Sequence, residues 1–195
     1  RGNTKGKRFL GSIRNMVFTG PGKESNMVGL WFYDCTYGLL EKFNVNRFKY
    51  GIQIDYHYYY CQFINISCTY CDCGFRALDR GNKTVFNYCV FTNCNIGFIG
   101  NIEEKWDHGI QFNDCYFEQN KIAIEYTPRG TLCIHQCYFE GNDCEMYIHR
   151  TIKDNDALII LENSYIASTF SSDFNYSIRQ NIPINNTVSY VINNN

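Results

Sequence analysis

The chain has 195 residues and a formal net charge of −1, which is room for one domain with its own core and no electrostatic case for nucleic acid binding. Aromatic residues make up 17%, with 16 Tyr and 15 Phe against 3 Pro, a bias toward strands. No stretch approaches the roughly 20 apolar residues of a membrane span. No secretory pattern opens the chain, which starts at Arg1 rather than Met, so a piece or processed product of a longer protein is expected.

In chain order, residues 1–8 (RGNTKGKR) read as a basic lead-in. Gly29-Leu-Trp-Phe32 and Gly51-Ile-Gln-Ile54 look like strand starts, and Asp55-Tyr-His57-Tyr-Tyr-Tyr60 reads as a tyrosine-rich loop. Then a pattern recurs. Tyr58-Tyr-Tyr-Cys61-Gln-Phe63, Phe86-Asn-Tyr-Cys89-Val-Phe91, Phe112-Asn-Asp-Cys115-Tyr-Phe117 and Ile134-His-Gln-Cys137-Tyr-Phe139 share one template. Leu161-Glu-Asn-Ser164-Tyr-Ile166 repeats it with Ser for Cys. The anchors are 28, 26, 22 and 27 residues apart, and either Cys35 or Phe43 suits the coil before them. Beyond each anchor, Ile96, Ile122 and Cys144 form a column, and Phe98, Ile124 and Met146 another. Residues 170–195 lose the pattern and turn polar, although Thr187–Ile192 has the makings of a last strand. The boundaries are therefore 1–169 for the coils and 170–195 for a cap, last strand or linker.

Fixed-period self-similarity is the mark of a repeat architecture. Within a coil the apolar residues alternate, which puts them on one face of short strands. Such a face is buried only by stacking coils at the strand spacing of roughly 4.8 Å. The expected fold is an all-β parallel solenoid with coils of about 22–28 residues. No segment has the i, i+3, i+4, i+7 apolar spacing of a helical repeat. The eleven Cys include Cys68, Cys71 and Cys73, which invite a zinc reading, but no second ligand pair of similar spacing accompanies them. Buried thiols stacked inside the coils account for Cys61, Cys89, Cys115 and Cys137 better than reactive ones. Asn120 and Asn142 fall at a corner, where an Asn ladder is architectural.

Coils of this length, with Gly-Ile-x-Ile strand starts, an x-x-Asn corner and stacked interior aromatics, resemble the right-handed parallel β-helix of the pectate-lyase superfamily. The composition is most similar to bacteriophage tailspike and tail-appendage proteins. The resemblance implies a homotrimer on the virion tail, among other tail proteins and outside the cell, that binds a bacterial surface polysaccharide. A secreted or cell-surface location is the alternative. It also leaves open a polysaccharide-degrading domain, hydrolase or lyase, and a structural spacer, since fold does not decide function. No cofactor and no metal is expected.

Three places invite chemistry. Glu118 and Glu140 share a register, so stacking sets two carboxylates side by side, as an acid–base pair requires; a solvated acidic corner is the plainer reading. The insertion around Glu103, Glu104, Trp106, Asp107 and His108 offers a flat ring and acidic neighbours to a sugar; an ordinary polar corner is the plainer reading. Asp55, His57 and Tyr58 offer a tyrosine-rich glycan platform or a contact between subunits.

Overall fold

The computed structural model describes residues 9–78, 80–100, 109–127, 130–148, 157–167, 178–180 and 188–193. The strands are β1 (Ser12–Thr19), β2 (Val28–Thr36), β3 (Leu39–Asn46), β4 (Tyr50–Tyr59), β5 (Gln62–Thr69), β6 (Cys73–Ala77) and β7 (Arg80–Asn82). They continue as β8 (Thr84–Asn87), β9 (Val90–Thr92), β10 (Ile96–Gly100), β11 (Ile110–Asn113), β12 (Tyr116–Glu118), β13 (Ile122–Tyr126) and β14 (Thr131–His135). The last are β15 (Tyr138–Glu140), β16 (Cys144–Ile148), β17 (Ala157–Glu162), β18 (Tyr165–Ala167), β19 (Ile178–Gln180) and β20 (Val188–Asn193). All ladders are parallel, and the strands wind into a β-solenoid of about 6 turns.

Each coil presents three faces. Face 1 stacks β8, β11, β14, β17 and β20; face 2 stacks β9, β12, β15 and β18. The long strands β1, β3 and β5 run through both: β5 pairs with β8 through its first half and with β9 through its second. Face 3 stacks β2, β4, β6, β10, β13, β16 and β19. The last two strands come from the polar tail beyond residue 170, where β19 joins β16 and β20 joins β17.

The corners are set by backbone conformation. Among the described residues, fourteen non-glycine residues have positive φ, between 49° and 63°, and all fourteen fall in three columns that run along the solenoid. One column is Tyr37, Tyr60 and Lys83; the second is Asn15, Lys42, Asn65, Tyr88, Asp114, Gln136 and Asn163; the third is Arg47, Tyr70, Asn93 and Gln119. A left-handed residue turns the chain within one step, at a steric cost for anything but glycine. The next coil offsets that cost: the amides of Tyr88, Asp114 and Gln136 each donate across to the carbonyls of Asn113, His135 and Glu162. The same bond recurs at the third corner, from Asn93 to Glu118 and from Gln119 to Glu140.

The register corrects one expectation. Met16 pairs with Phe43 and Phe43 with Ile66, and the column then runs through Cys89, Cys115, Cys137 and Ser164. Phe43 and Ile66 are thus the earlier anchors, in place of Cys35 and Cys61. Cys61 precedes Gln62, which pairs with Leu39 and Val85, so it lies at the corner before, beside Gly38 and Thr84. The confusion has a physical origin. Tyr60-Cys61-Gln-Phe63 and Tyr88-Cys89-Val-Phe91 both follow a left-handed residue with a small inward side chain, so two different corners share one local pattern.

The core is a set of ring columns. Phe63, Phe86 and Phe112 stack at 4.8 and 4.7 Å, and Phe91, Phe117 and Phe139 at 5.1 and 4.9 Å. Phe98 from face 3 meets Phe86 and Phe112 edge-on at 5.5 and 5.0 Å. Such pairs add about 0.5–1.5 kcal/mol each beyond burial of their area. Gly51, Gly74 and Gly97 form a column near the start of the face 3 strands where a Cβ would lie 2.5–2.6 Å from the carbonyl oxygen of the next coil, so these three coils pack too closely there for a side chain, and Ala123 continues the column. Gly29 opens that column, but Gly109 does not: Ile110 pairs with Thr84 on face 1.

All eleven cysteines are free. At the corners the thiols donate back to the carbonyl two residues earlier, as in Cys89 to Asn87 (3.5 Å) and Cys115 to Asn113 (3.3 Å). Ser164 makes the same bond to Glu162 at 3.0 Å, which is why Ser takes the Cys place there. Cys68, Cys71 and Cys73 belong to three different columns, with Cys68 beside Phe91, Cys71 at the third corner and Cys73 beside Ile96. Burial pushes the thiols of Cys68, Cys73 and Cys115 up, which keeps them protonated.

Candidate functional site

Face 2 carries the most developed outward surface. In strands β12, β15 and β18 the sequence reads Tyr-Phe-Glu, Tyr-Phe-Glu and Tyr-Ile-Ala. Alternation sends Phe117, Phe139 and Ile166 toward the core and Tyr116, Tyr138, Tyr165, Glu118 and Glu140 outward. Tyr116, Tyr138 and Tyr165 then stand in one row, with ring centroids 5.6 and 5.0 Å apart. Tyr116 is 47% and Tyr165 57% exposed, so the ladder presents aromatic surface to solvent.

Glu118 and Glu140 form the parallel row, paired in register one coil apart. Glu118 is half-buried and Glu140 exposed. The Tyr138 hydroxyl donates to Glu140 Oε2 at 2.9 Å, which fixes ring and carboxylate together. That bond, with the charges of Glu140 and Glu118, pushes the Tyr138 phenol up.

The same two rows continue toward the N-terminal coils. Ahead of Tyr116 come Val90, Ser67 and Asn44, and ahead of Glu118 come Thr92, Thr69 and Asn46. Here the surface sinks into a groove of about 640 Å³, lined by Asn44, Asn46, Arg47, Thr69, Tyr70 and Asn93, with Lys23 from the loop before β2 along its side. Asn46 Nδ2 donates to Thr19 Oγ1 at 3.2 Å and to Phe18 O at 3.3 Å, which holds the groove floor to the preceding coil. Face 2 is thus a track along the solenoid axis, amide- and hydroxyl-rich at one end, aromatic and acidic at the other.

The second region predicted from sequence is placed differently. Asp55–Tyr59 is the end of strand β4, not a loop. Phe32 pairs with Ile54 but Asp34 with His57, so Asp55 and Tyr56 together face Tyr33: a bulge with its extra residue on β4. Tyr58 is fully buried, its ring against Gly81, and offers no surface to a ligand. His57 is mostly covered, with Nδ1 at 3.5 Å from Asp34 Oδ2 and its ring against Tyr56 and Tyr59. Asp55 faces outward and accepts from Trp31 Nε1 at 2.7 Å. Glu103, Glu104, Trp106, Asp107 and His108 lie outside the described residues.

Sequence reading missed the tyrosine row, although the signal was present: in Cys-Tyr-Phe and Ser-Tyr-Ile the residue between two inward ones points out. It also missed Trp31, which appeared only as part of a strand start. Compared with known proteins, the chain matches no family model, no curated protein and no solved structure.

Proposed function

We propose that this solenoid is a saccharide-binding module, the β-helix of a bacteriophage tailspike or tail appendage that docks on a bacterial surface polysaccharide. One observation carries the reading: the Tyr116–Tyr138–Tyr165 ladder, exposed, in register and flanked by carboxylates. A sugar ring has an apolar C–H face for an aromatic ring and hydroxyls for carboxylate and amide groups. A row repeated at the coil spacing suits a polymer lying along the axis. The phage assignment rests on the similarity of coil length, strand starts and composition set out above. In this reading the module works as a homotrimer on the virion tail beside other tail proteins.

The test is binding of the purified chain to an array of bacterial surface oligosaccharides. Replacing Tyr116, Tyr138 and Tyr165 together by Ala is expected to weaken binding at least tenfold while leaving the melting curve in place, because these rings face solvent. Unaltered binding would remove face 2 from the proposal.

The register of Glu118 and Glu140 favours a second reading, hydrolysis of the same polysaccharide. Strand stacking holds residues one coil apart at roughly the 5 Å that a retaining carboxylate pair uses. Polysaccharide degradation that vanishes in both Glu118→Gln and Glu140→Gln would support it; degradation that persists in either would end it.

A further inference from the structure

Face 3 holds a second feature that the face 2 track does not include. Trp31, Gln53 and Arg76 occupy one outward row across β2, β4 and β6. A chain of bonds ties them together. Trp31 Nε1 donates to Asp55 Oδ2 at 2.7 Å, Gln53 Nε2 to Asp55 Oδ1 at 2.5 Å, and Arg76 Nη1 to Gln53 Oε1 at 3.4 Å. The Arg76 guanidinium also lies 4.6 Å over the Tyr50 ring, which fixes its plane. Gln53 is almost wholly buried, while Trp31 is 64% exposed.

This is an unusual use of tryptophan. A large apolar side chain left in water contributes nothing to folding by its exposed area. Yet this one is held in orientation by its N–H, on a carboxylate whose own direction a buried glutamine sets. The bulge in β4 adds to the arrangement, since it puts Asp55 and Tyr56 opposite Tyr33, and Tyr33 stacks on Tyr56 at 5.5 Å with half of its own surface exposed. A free ring face, fixed in advance, beside a carboxylate and a guanidinium, meets the needs of a pyranose. The ring takes the C–H face, and Asp55 and Arg76 take the hydroxyls. Each carboxylate oxygen has a further lone pair and the guanidinium has five N–H donors. Ordering costs are small because the network stands before ligand arrives.

We propose that Trp31, with Asp55 and Arg76, forms a second saccharide-binding site on face 3, separate from the face 2 track. Two sites on one rigid body would let a repeating polymer engage both, so that the second contact forms at high effective concentration.

The same oligosaccharide array tests this, probed with three forms of the whole chain: unaltered, Trp31→Ala, and the face 2 triple tyrosine variant. The expected result is at least one saccharide that the triple variant still binds and that Trp31→Ala binds at least tenfold more weakly. Trp31→Phe, which keeps a ring and loses the tether to Asp55, is expected to lose less. If Trp31→Ala binds every saccharide as the unaltered chain does, this site falls, and the face 2 reading is judged separately by the triple variant. If only the triple variant retains full binding, face 2 falls and this site stands. If the unaltered chain binds nothing, both fall. A change in sedimentation on Trp31→Ala with saccharide binding intact would assign the patch to contact between copies and overturn the proposal.

Discussion

Glu145 shows how one side chain can make the whole solenoid respond to pH. It continues the glycine column of face 3, one coil past Ala123, where its side chain is 2% exposed. Asn142 Nδ2 donates to its Oε2 at 2.7 Å. Burial disfavours the charged form and outweighs that bond, so the carboxyl is pushed up to about 7. For a carboxyl raised in the folded state, the unfolded chain ionises first. The stability is full below about pH 4.5 and is lost as pH rises through about 7. Thermal melts from pH 5 to pH 8.5 should therefore show a fall in stability on the order of 1–3 kcal/mol. Glu145→Gln keeps the acceptor for Asn142 and removes the charge, so its curve should be flat over that range. An equal slope in the variant would place the titration elsewhere. No periodic signal pointed to this residue. In the sequence it interrupts a Gly and Ala column, and only the fold reveals that the column faces inward.

At the scale of the element, the corners carry the logic that the sequence showed in part. Asn120 and Asn142 were legible as a ladder because they share a register with identical neighbours. Less legible was that Cys71 and Cys94 precede them in the same column, as thiols in place of amides. Cys94 Sγ reaches the Cys68 carbonyl at 3.7 Å, Asn120 Nδ2 the Phe91 carbonyl at 2.9 Å and Asn142 Nδ2 the Phe117 carbonyl at 2.8 Å. The amide does one thing that a thiol does less well. Asn120 Oδ1 accepts the Cys94 amide at 3.0 Å, and Asn142 Oδ1 accepts the Asn120 amide at 2.9 Å. Asn120→Ala strands a buried N–H and a buried carbonyl together, an expected loss of about 2–4 kcal/mol in denaturant unfolding. Asn120→Cys restores the donor and should lose less. Equal losses would mean that the side-chain volume matters and the bonds do not. The left-handed corners stayed hidden for a related reason. Tyr, Lys, Arg and Gln occupy them as well as Asn, so residue type alone does not announce the conformation; the cross-coil amide bond does the selecting.

For the whole molecule, the governing fact is that the described strands pair from each coil to the next one. The repeat was legible wherever inward positions carry Phe, Ile and Cys in step. It was misread where two corners of one coil share a local pattern, as at Cys61. The same property makes a coil removable. Thr69 pairs with Thr92 in register, and Tyr70 and Asn93 are successive residues of one left-handed column. Deleting residues 70–92 and joining Thr69 to Asn93 brings the third corner back at the same place, with Cys94 packed where Cys71 was. It removes β6, β7, β8 and β9 together, one face 3 segment and one each of faces 1 and 2. Nearest-neighbour stacking predicts that the shortened chain still folds. Its circular dichroism per residue should be unchanged, and its urea m-value lower by about a tenth, in proportion to the surface lost. Its stability should fall by one coil's share and no more. The rows of face 2 would close up without a break, since Asn44 and Ser67 would then lead directly to Tyr116, and Trp31 and Gln53 would meet Ile99 in place of Arg76. Binding that depends on the tyrosine ladder should survive this deletion, and binding that depends on Trp31 should weaken with the loss of Arg76. A chain that fails to fold would show that contacts beyond the adjacent coil hold this solenoid together.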